Sequence, residues 1–238
     1  MATTVTVATA DGEMGLYDAK PPMTARGAVI VLQEAFGVND HIEHVTRRLA
    51  GEGYRAVAPH LFHRTGDPVL DYGNFEKIMP HMQALSEAGL LADLDASLGY
   101  LADAGFAAGR VGVVGFCMGG SVTFLAAVRR ALGAAVTFYG GGVSEGRFGM
   151  PPLLEMAPTL QTPWLGLFGD QDQGIPVEQV DALGTAADGA PVATEIVRYP
   201  DAGHGFHCDA RPDSYHEASA TDGWSRTLRW FELYLAAE

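Results

Sequence analysis

Polar and apolar positions alternate over residues 3–8 and again over 13–18, on either side of the pair Asp11-Gly12. Alternation of period two around such a pair predicts two antiparallel strands joined by a tight turn. The pattern then changes. Residues 28–32 (AVIVL) are apolar throughout, as are most positions of 54–58, 111–115, 134–139 and 164–168, and 192–199 closes the series. Continuous short apolar runs mark strands covered on both faces. Helical spacing fills the intervals at 41–51, from about 74 to 104 with interruptions near Pro80 and Gly89, at about 119–131, and at about 221–236. Strands separated by helices of this length require right-handed crossovers, so the expected fold is α/β with a mostly parallel, doubly wound sheet flanked by helices. Two segments, 60–73 and 140–162, are longer than simple connections need. Loops at the carboxyl ends of parallel strands are where such sheets build their sites.

Composition narrows the function. Hydrophobic residues make up 47% of the 238 and charged residues 18%, which supplies a core and excludes disorder. A net charge of −14 repels phosphate backbones and anionic lipid, which argues against nucleic-acid and membrane partners. No apolar run approaches the roughly 18 residues of a spanning helix. The opening residues lack the basic flank and apolar stretch of a secretory leader, and two cysteines, Cys117 and Cys208, are too few for a disulfide scaffold. A cytoplasmic protein is expected, with a monomer as the default state.

The most informative segment runs from Arg110 to Gly120 (RVGVVGFCMGG). A buried strand, Gly115-x-Cys117-x-Gly119 and a helix reproduce the context of a nucleophile elbow, with cysteine in the place of the more usual serine. The turn is so tight that side chains two positions either side of the nucleophile would clash. A sulfur at a helix N-terminus is favoured as thiolate, and the Met118 N–H is placed to be an oxyanion donor. Chain order then requires an acid and a histidine downstream. Strand 164–168 leads into Asp170 and Asp172, and Asp172, four residues before Pro176, is the preferred acid; Asp170 is closer to the turn and better suited to capping it. After strand 192–199 comes His204, held between two glycines, with His207 the weaker choice of base.

With these residues in place the sequence resembles the dienelactone hydrolase family of α/β-hydrolases. Residues 31–39 (VLQEAFGVN), 58–62 (APHLF), 114–120 (VGFCMGG), 139–141 (YGG), the Asp172 loop and 203–206 (GHGF) all match, so the likeness spans essentially the whole chain. It implies one compact domain over residues 1–238 without a large separate cap, a triad of Cys117, His204 and Asp172, and Glu34 close to the thiol. From that position Glu34 is expected to accept the S–H hydrogen bond and gate the thiol, while Ala35 offers the second oxyanion N–H. Phe36, Tyr139 and Phe206 in the matching segments, with Arg64, Tyr72 and Phe75 from the long loop and the helix after it, are candidate substrate contacts. Tyr72, Phe75, Met79 and Met82 would give the site apolar cover. Family members that act on dienelactone hold its carboxylate with arginines, one shortly after the histidine and one before the elbow. Here the residue four after His204 is Cys208, and 65–108 has no arginine. Uncharged substrates are therefore expected to be preferred, although Arg64 or Arg211 could contribute from nearby loops.

Cysteine also restricts the chemistry. A thiolate, from a thiol of pKa about 8.5, leaves more readily than an alkoxide, so a tetrahedral intermediate tends to expel the enzyme's own sulfur. Forward reaction needs a second good leaving group, as in enol lactones, aryl esters and thioesters. A catalytically silent binding or redox-sensing protein is the competing class. His204, His207 and Cys208, or the pairs His41/His44 and His60/His63, repeat no recognised metal-ligand spacing, and no phosphate-cradling loop occurs. Neither a metal nor a cofactor is expected from the sequence.

Overall fold

The computed structural model describes residues 1–235. In chain order the elements are β1 (Ala2–Thr9), β2 (Gly12–Ala19), β3 (Ala28–Leu32), α1 (Asp40–Gly51), β4 (Arg55–Pro59), α2 (Phe75–Gln83), α3 (Glu87–Asp103), β5 (Val111–Phe116), α4 (Met118–Arg129), β6 (Ala134–Phe138), α5 (Leu153–Met156), β7 (Trp164–Gly169), α6 (Val177–Ala187), β8 (Thr194–Tyr199) and α7 (Glu217–Tyr234). They build one sheet in the order β1-β2-β4-β3-β5-β6-β7-β8. The first hairpin pairs antiparallel with itself and with β4, and every pair from β4 onward is parallel. All residues of β3, β5, β6 and β7 are buried, which is why their apolar runs are unbroken.

Helix α4 lies at the centre of the packing, with every residue from Met118 to Val128 buried. The helical region 74–104 divides at Ser86, whose extended backbone and side chain cap α3 by accepting from the Gly89 N–H at 3.2 Å. Pro80 is carried inside α2 instead of ending it. Helix α6 was not expected from the sequence; Val180, Leu183 and Ala187 form its buried stripe, interrupted by polar and small residues. Helix α7 starts four residues before the expected position, and the expected end at residue 236 lies outside the described residues.

Sheet order fixes where a site can form. β3 is flanked by β4 on one side and β5 on the other, so successive crossovers depart in opposite directions and leave a crevice at the strands' carboxyl ends. Leu32 pairs with Gly115, and the segments that follow β3 and β5 therefore emerge side by side.

Candidate active site

Strand β5 ends at Phe116 and α4 begins at Met118, so Cys117 makes the whole turn alone. Its backbone stands at φ 53°, ψ −113°, a strained combination for a residue with a side chain. Two hydrogen bonds hold it there. The Cys117 N–H donates to the Phe138 carbonyl at 3.1 Å, and the Gly119 N–H donates to the Gln33 carbonyl at 3.0 Å. A Cβ on Gly115 would lie 2.1 Å from the Gly119 carbonyl oxygen, and one on Gly119 would lie 2.2 Å from that of Leu32. Glycine is required at both positions by close approach, as the elbow reading expects. The sulfur-bearing residue remains partly exposed.

The acid and base come from the loops after β7 and β8. Asp172, 5% exposed, accepts the Nδ1–H of His204 at 2.6 Å through Oδ2 and the Gly174 N–H at 2.9 Å through Oδ1. The carboxylate fixes the tautomer: Nδ1 carries hydrogen, and Nε2 is left for the thiol. Burial pulls the His204 pKa down, but the charge of Cys117 and hydrogen bonds to Asp172 and Cys117 outweigh it and push the pKa up to about 10. Asp170, the rejected acid, is bound by Arg198 through Nε at 2.8 Å and Nη2 at 2.9 Å. His207 is buried against Phe116 and Trp224, with ring centroids 4.9 and 5.8 Å away, and burial holds its pKa well below the usual imidazole range. It belongs to the core.

Two backbone N–H groups beside the turn have no acceptor among the described residues. As the first residue of α4, Met118 has no intrahelical acceptor for its N–H. The Ala35 N–H, on the segment leaving β3, makes no hydrogen bond to any of the described residues.

Glu34 departs from expectation. Its side chain is fully buried, yet neither carboxylate oxygen has a hydrogen-bond partner among the described residues, so the expected bond from the Cys117 thiol is not formed. The Cys117 side chain acts instead on His204, whose pKa its charge raises. Around Glu34 lie Arg211, with Nη1 4.0 Å from Oε1, and the thiol of Cys208, within 4.8 Å.

The candidate substrate contacts divide. Tyr139, in left-handed backbone at φ 39°, is buried with its ring centroid 5.1 Å from that of His204. Phe36 meets Tyr72 edge-on at 4.6 Å, and the Arg211 guanidinium lies 5.5 Å from the Phe36 ring and 5.7 Å from that of Tyr72. Phe206 has no exposed surface and packs against Phe138, Tyr139 and Tyr199, so it supports the site from behind and does not line it. Phe75 projects into solvent at 70% exposure. Arg64 is committed elsewhere: both Nη atoms bind the fully buried Asp93 at 2.8 Å, and Nε and Nη2 hold Asp11 in the β1–β2 turn. A buried carboxylate without charge compensation is so costly that this arginine is a structural residue. Met79 and Met82 line an open apolar crevice with Leu85 and Phe148. Sequence spacing gave no sign of Arg211's position, because its loop folds back from β8 over the end of β3.

Sheet order, elbow and acid–histidine pair together define a hydrolase of the α/β-hydrolase fold. The chain belongs to the dienelactone hydrolase family: the model of the "Dienelactone hydrolase family" matches residues 14–235. It is 44% identical over 227 residues to the "Putative carboxymethylenebutenolidase" of Salmonella typhimurium, covering 93% of this chain and 83% of that one. It is 32% identical over 233 residues to the "Probable 2-oxo-3-(5-oxofuran-2-ylidene)propanoate lactonase" of Bradyrhizobium, covering 96% and 93% of the two chains. The crystal structure of the "Putative Dienelactone Hydrolase" from Klebsiella pneumoniae superposes with a TM-score of 0.91 at 40% identity, covering 98% of this chain and 99% of that one. No described helix is long and apolar enough to cross a membrane.

Proposed function

We propose that this protein hydrolyses small lactones or activated esters through a covalent acyl-enzyme on Cys117. The observation that carries the reading is the strained Cys117 turn, with the Asp172–His204 pair at 2.6 Å on the neighbouring loops.

In the resting state His204 takes the thiol proton and stands as imidazolium between the Cys117 sulfur and the Asp172 carboxylate. The sulfur attacks the carbonyl carbon, and the Ala35 and Met118 N–H groups receive the developing oxyanion. On collapse of the tetrahedral intermediate, His204 gives its proton to the departing enolate, phenolate or thiolate. Acylation removes the negative charge from sulfur, and with it one of the influences that hold the His204 pKa high. The imidazole is then neutral and serves as base for the water that releases the acid. One histidine thus changes from acid to base without moving. Enol lactones and aryl esters suit the site because their leaving groups compete with a thiolate.

The test is rapid mixing with p-nitrophenyl acetate. A burst of chromophore stoichiometric with enzyme, and its loss after iodoacetamide labels Cys117 or in Cys117→Ala, is the expected result. Full turnover by Cys117→Ala would refute the assignment.

A further inference from the structure

Glu34, His41 and Cys208 come from the end of β3, the first turn of α1 and the loop after β8, and all three are buried. One ligand atom from each lies within 4.8 Å of the other two. Neither oxygen of Glu34 has a hydrogen-bond partner among the described residues, and the same is true of His41 Nε2. Two buried ligating groups with unmet polar atoms facing each other are costly in a folded protein, unless something else satisfies them.

The surroundings orient each ligand. His41 Nδ1 donates to Asp209 Oδ1 at 3.1 Å, which leaves the Nε2 lone pair directed inward. Asn39 donates to the Tyr72 hydroxyl at 3.0 Å, and that hydroxyl stands 3.7 Å from Cys208 Sγ, so it can donate onward to the sulfur. Arg211, 4.0 Å from Glu34 Oε1, is beyond hydrogen-bond distance and about a quarter exposed, so it has room to withdraw.

We propose that Glu34, His41 and Cys208 form a binding site for a thiophilic divalent cation of the Zn²⁺ type. Carboxylate, imidazole and thiolate are its three ligand types, and three protein ligands leave a fourth position for water. Bond lengths of about 2.0–2.3 Å put tetrahedral ligands some 3.3–3.8 Å apart, so a contraction of about 1 Å suffices. Coordination replaces the Cys208 proton, which leaves to solvent, and the carboxylate and thiolate charges neutralise the cation. Sequence spacing could not show this set, because its members are 7 and 167 positions apart.

The Cys117→Ser protein is used for the test, since Cys117 and His204 would otherwise offer a competing thiolate and imidazole. Titration with Co²⁺ should give a thiolate-to-cobalt charge-transfer band that saturates at one equivalent, and Zn²⁺ should displace it. Introducing Cys208→Ser into that protein should abolish the band, while His41→Gln should weaken binding at least tenfold, with circular dichroism confirming that both remain folded. Absence of the band in Cys117→Ser, or its survival in the Cys117→Ser/Cys208→Ser double variant, overturns the proposal. Because no hydrolysis is read, either failure leaves the esterase reading intact.

Discussion

Replacing Cys117 by serine should lower the pKa of His204. The serine hydroxyl keeps a hydrogen-bonding partner for Nε2 but removes the negative charge, so the experiment isolates the electrostatic part of the pairing. Unit charges at a hydrogen-bonded separation of about 3.5 Å attract by about 4–5 kcal/mol at an effective dielectric of 20. His204 has 34% of its side chain exposed, and solvent screening reduces that attraction to about 2 kcal/mol. At about 1.4 kcal/mol per pH unit the expected fall is roughly 1.5 units, from about 10 to the region of 8.5. The assay is an NMR titration of ¹³C- or ¹⁵N-labelled histidine, with the His204 signals assigned by comparison with His204→Gln. A raised folded-state pKa also contributes stability that is complete below about 6.5 and is lost as pH rises through 10, so the wild type should lose more stability than Cys117→Ser between pH 8 and 10. A His204 pKa that moves by less than half a unit would mean that Cys117 is neutral at rest, and the acid-to-base change in the proposed mechanism would have lost its cause.

Four further outcomes are expected. Asp172→Asn should cut turnover by about 10³–10⁴-fold, the scale found when the acid of a serine triad is made an amide, whereas Asp170→Asn should change steady-state kinetics little because Asp170 serves Arg198. Arg64→Met should cost about 3–5 kcal/mol in a urea melt by stranding the buried Asp93, yet leave kcat/KM of the folded fraction unchanged; an unaffected midpoint would show that His63, 3.0 Å from Asp93, suffices as its partner. Gly115→Ala should lower stability by about 3 kcal/mol and displace the elbow, since its methyl group would meet the Gly119 carbonyl, and a wild-type Tm would contradict that geometry. A neutral aryl ester should be a better substrate than an anionic lactone, because the charge of Arg211 is already opposed by Glu34, and a tenfold preference for the anion in kcat/KM would refute this.

The parts of the molecule visible in the sequence are those whose cause is local. AVIVL is apolar at every position because β3 is covered on both faces, and the glycines around Cys117 record a turn that leaves no room for a Cβ. The preference for Asp172 over Asp170 rests on loop geometry; Asp172 meets His204, whereas Asp170, expected to cap the turn, is held instead by Arg198 from β8. What could not be read depends on segments distant in sequence. Nothing in the vicinity of Arg64 announces that Asp11 and Asp93 converge on it, and Phe206 carries no mark separating a residue behind the site from one lining it. Glu34 shows the same limit: a position just past β3 says that it is near the elbow, but the approach of Cys208 to it comes from the loop after β8. Helix α6 was hidden for a different reason, its apolar stripe being only three buried side chains wide.

The bond from the Gly119 N–H to the Gln33 carbonyl, with no space for a Cβ between them, joins the nucleophile turn to the strand end that carries Ala35. The proposed nucleophile and oxyanion donors are therefore one rigid casting, in which a substitution at either part disturbs both. Laboratory evolution toward new substrates has little freedom there. Variation that is tolerated should accumulate instead in residues 143–149 and on the exposed face of α2, which border the open crevice of Met79 and Phe148 and make no hydrogen bond to the casting among the described residues. Libraries confined to those segments should keep a far larger fraction of active members than libraries of equal size spread over 33–36 and 115–120.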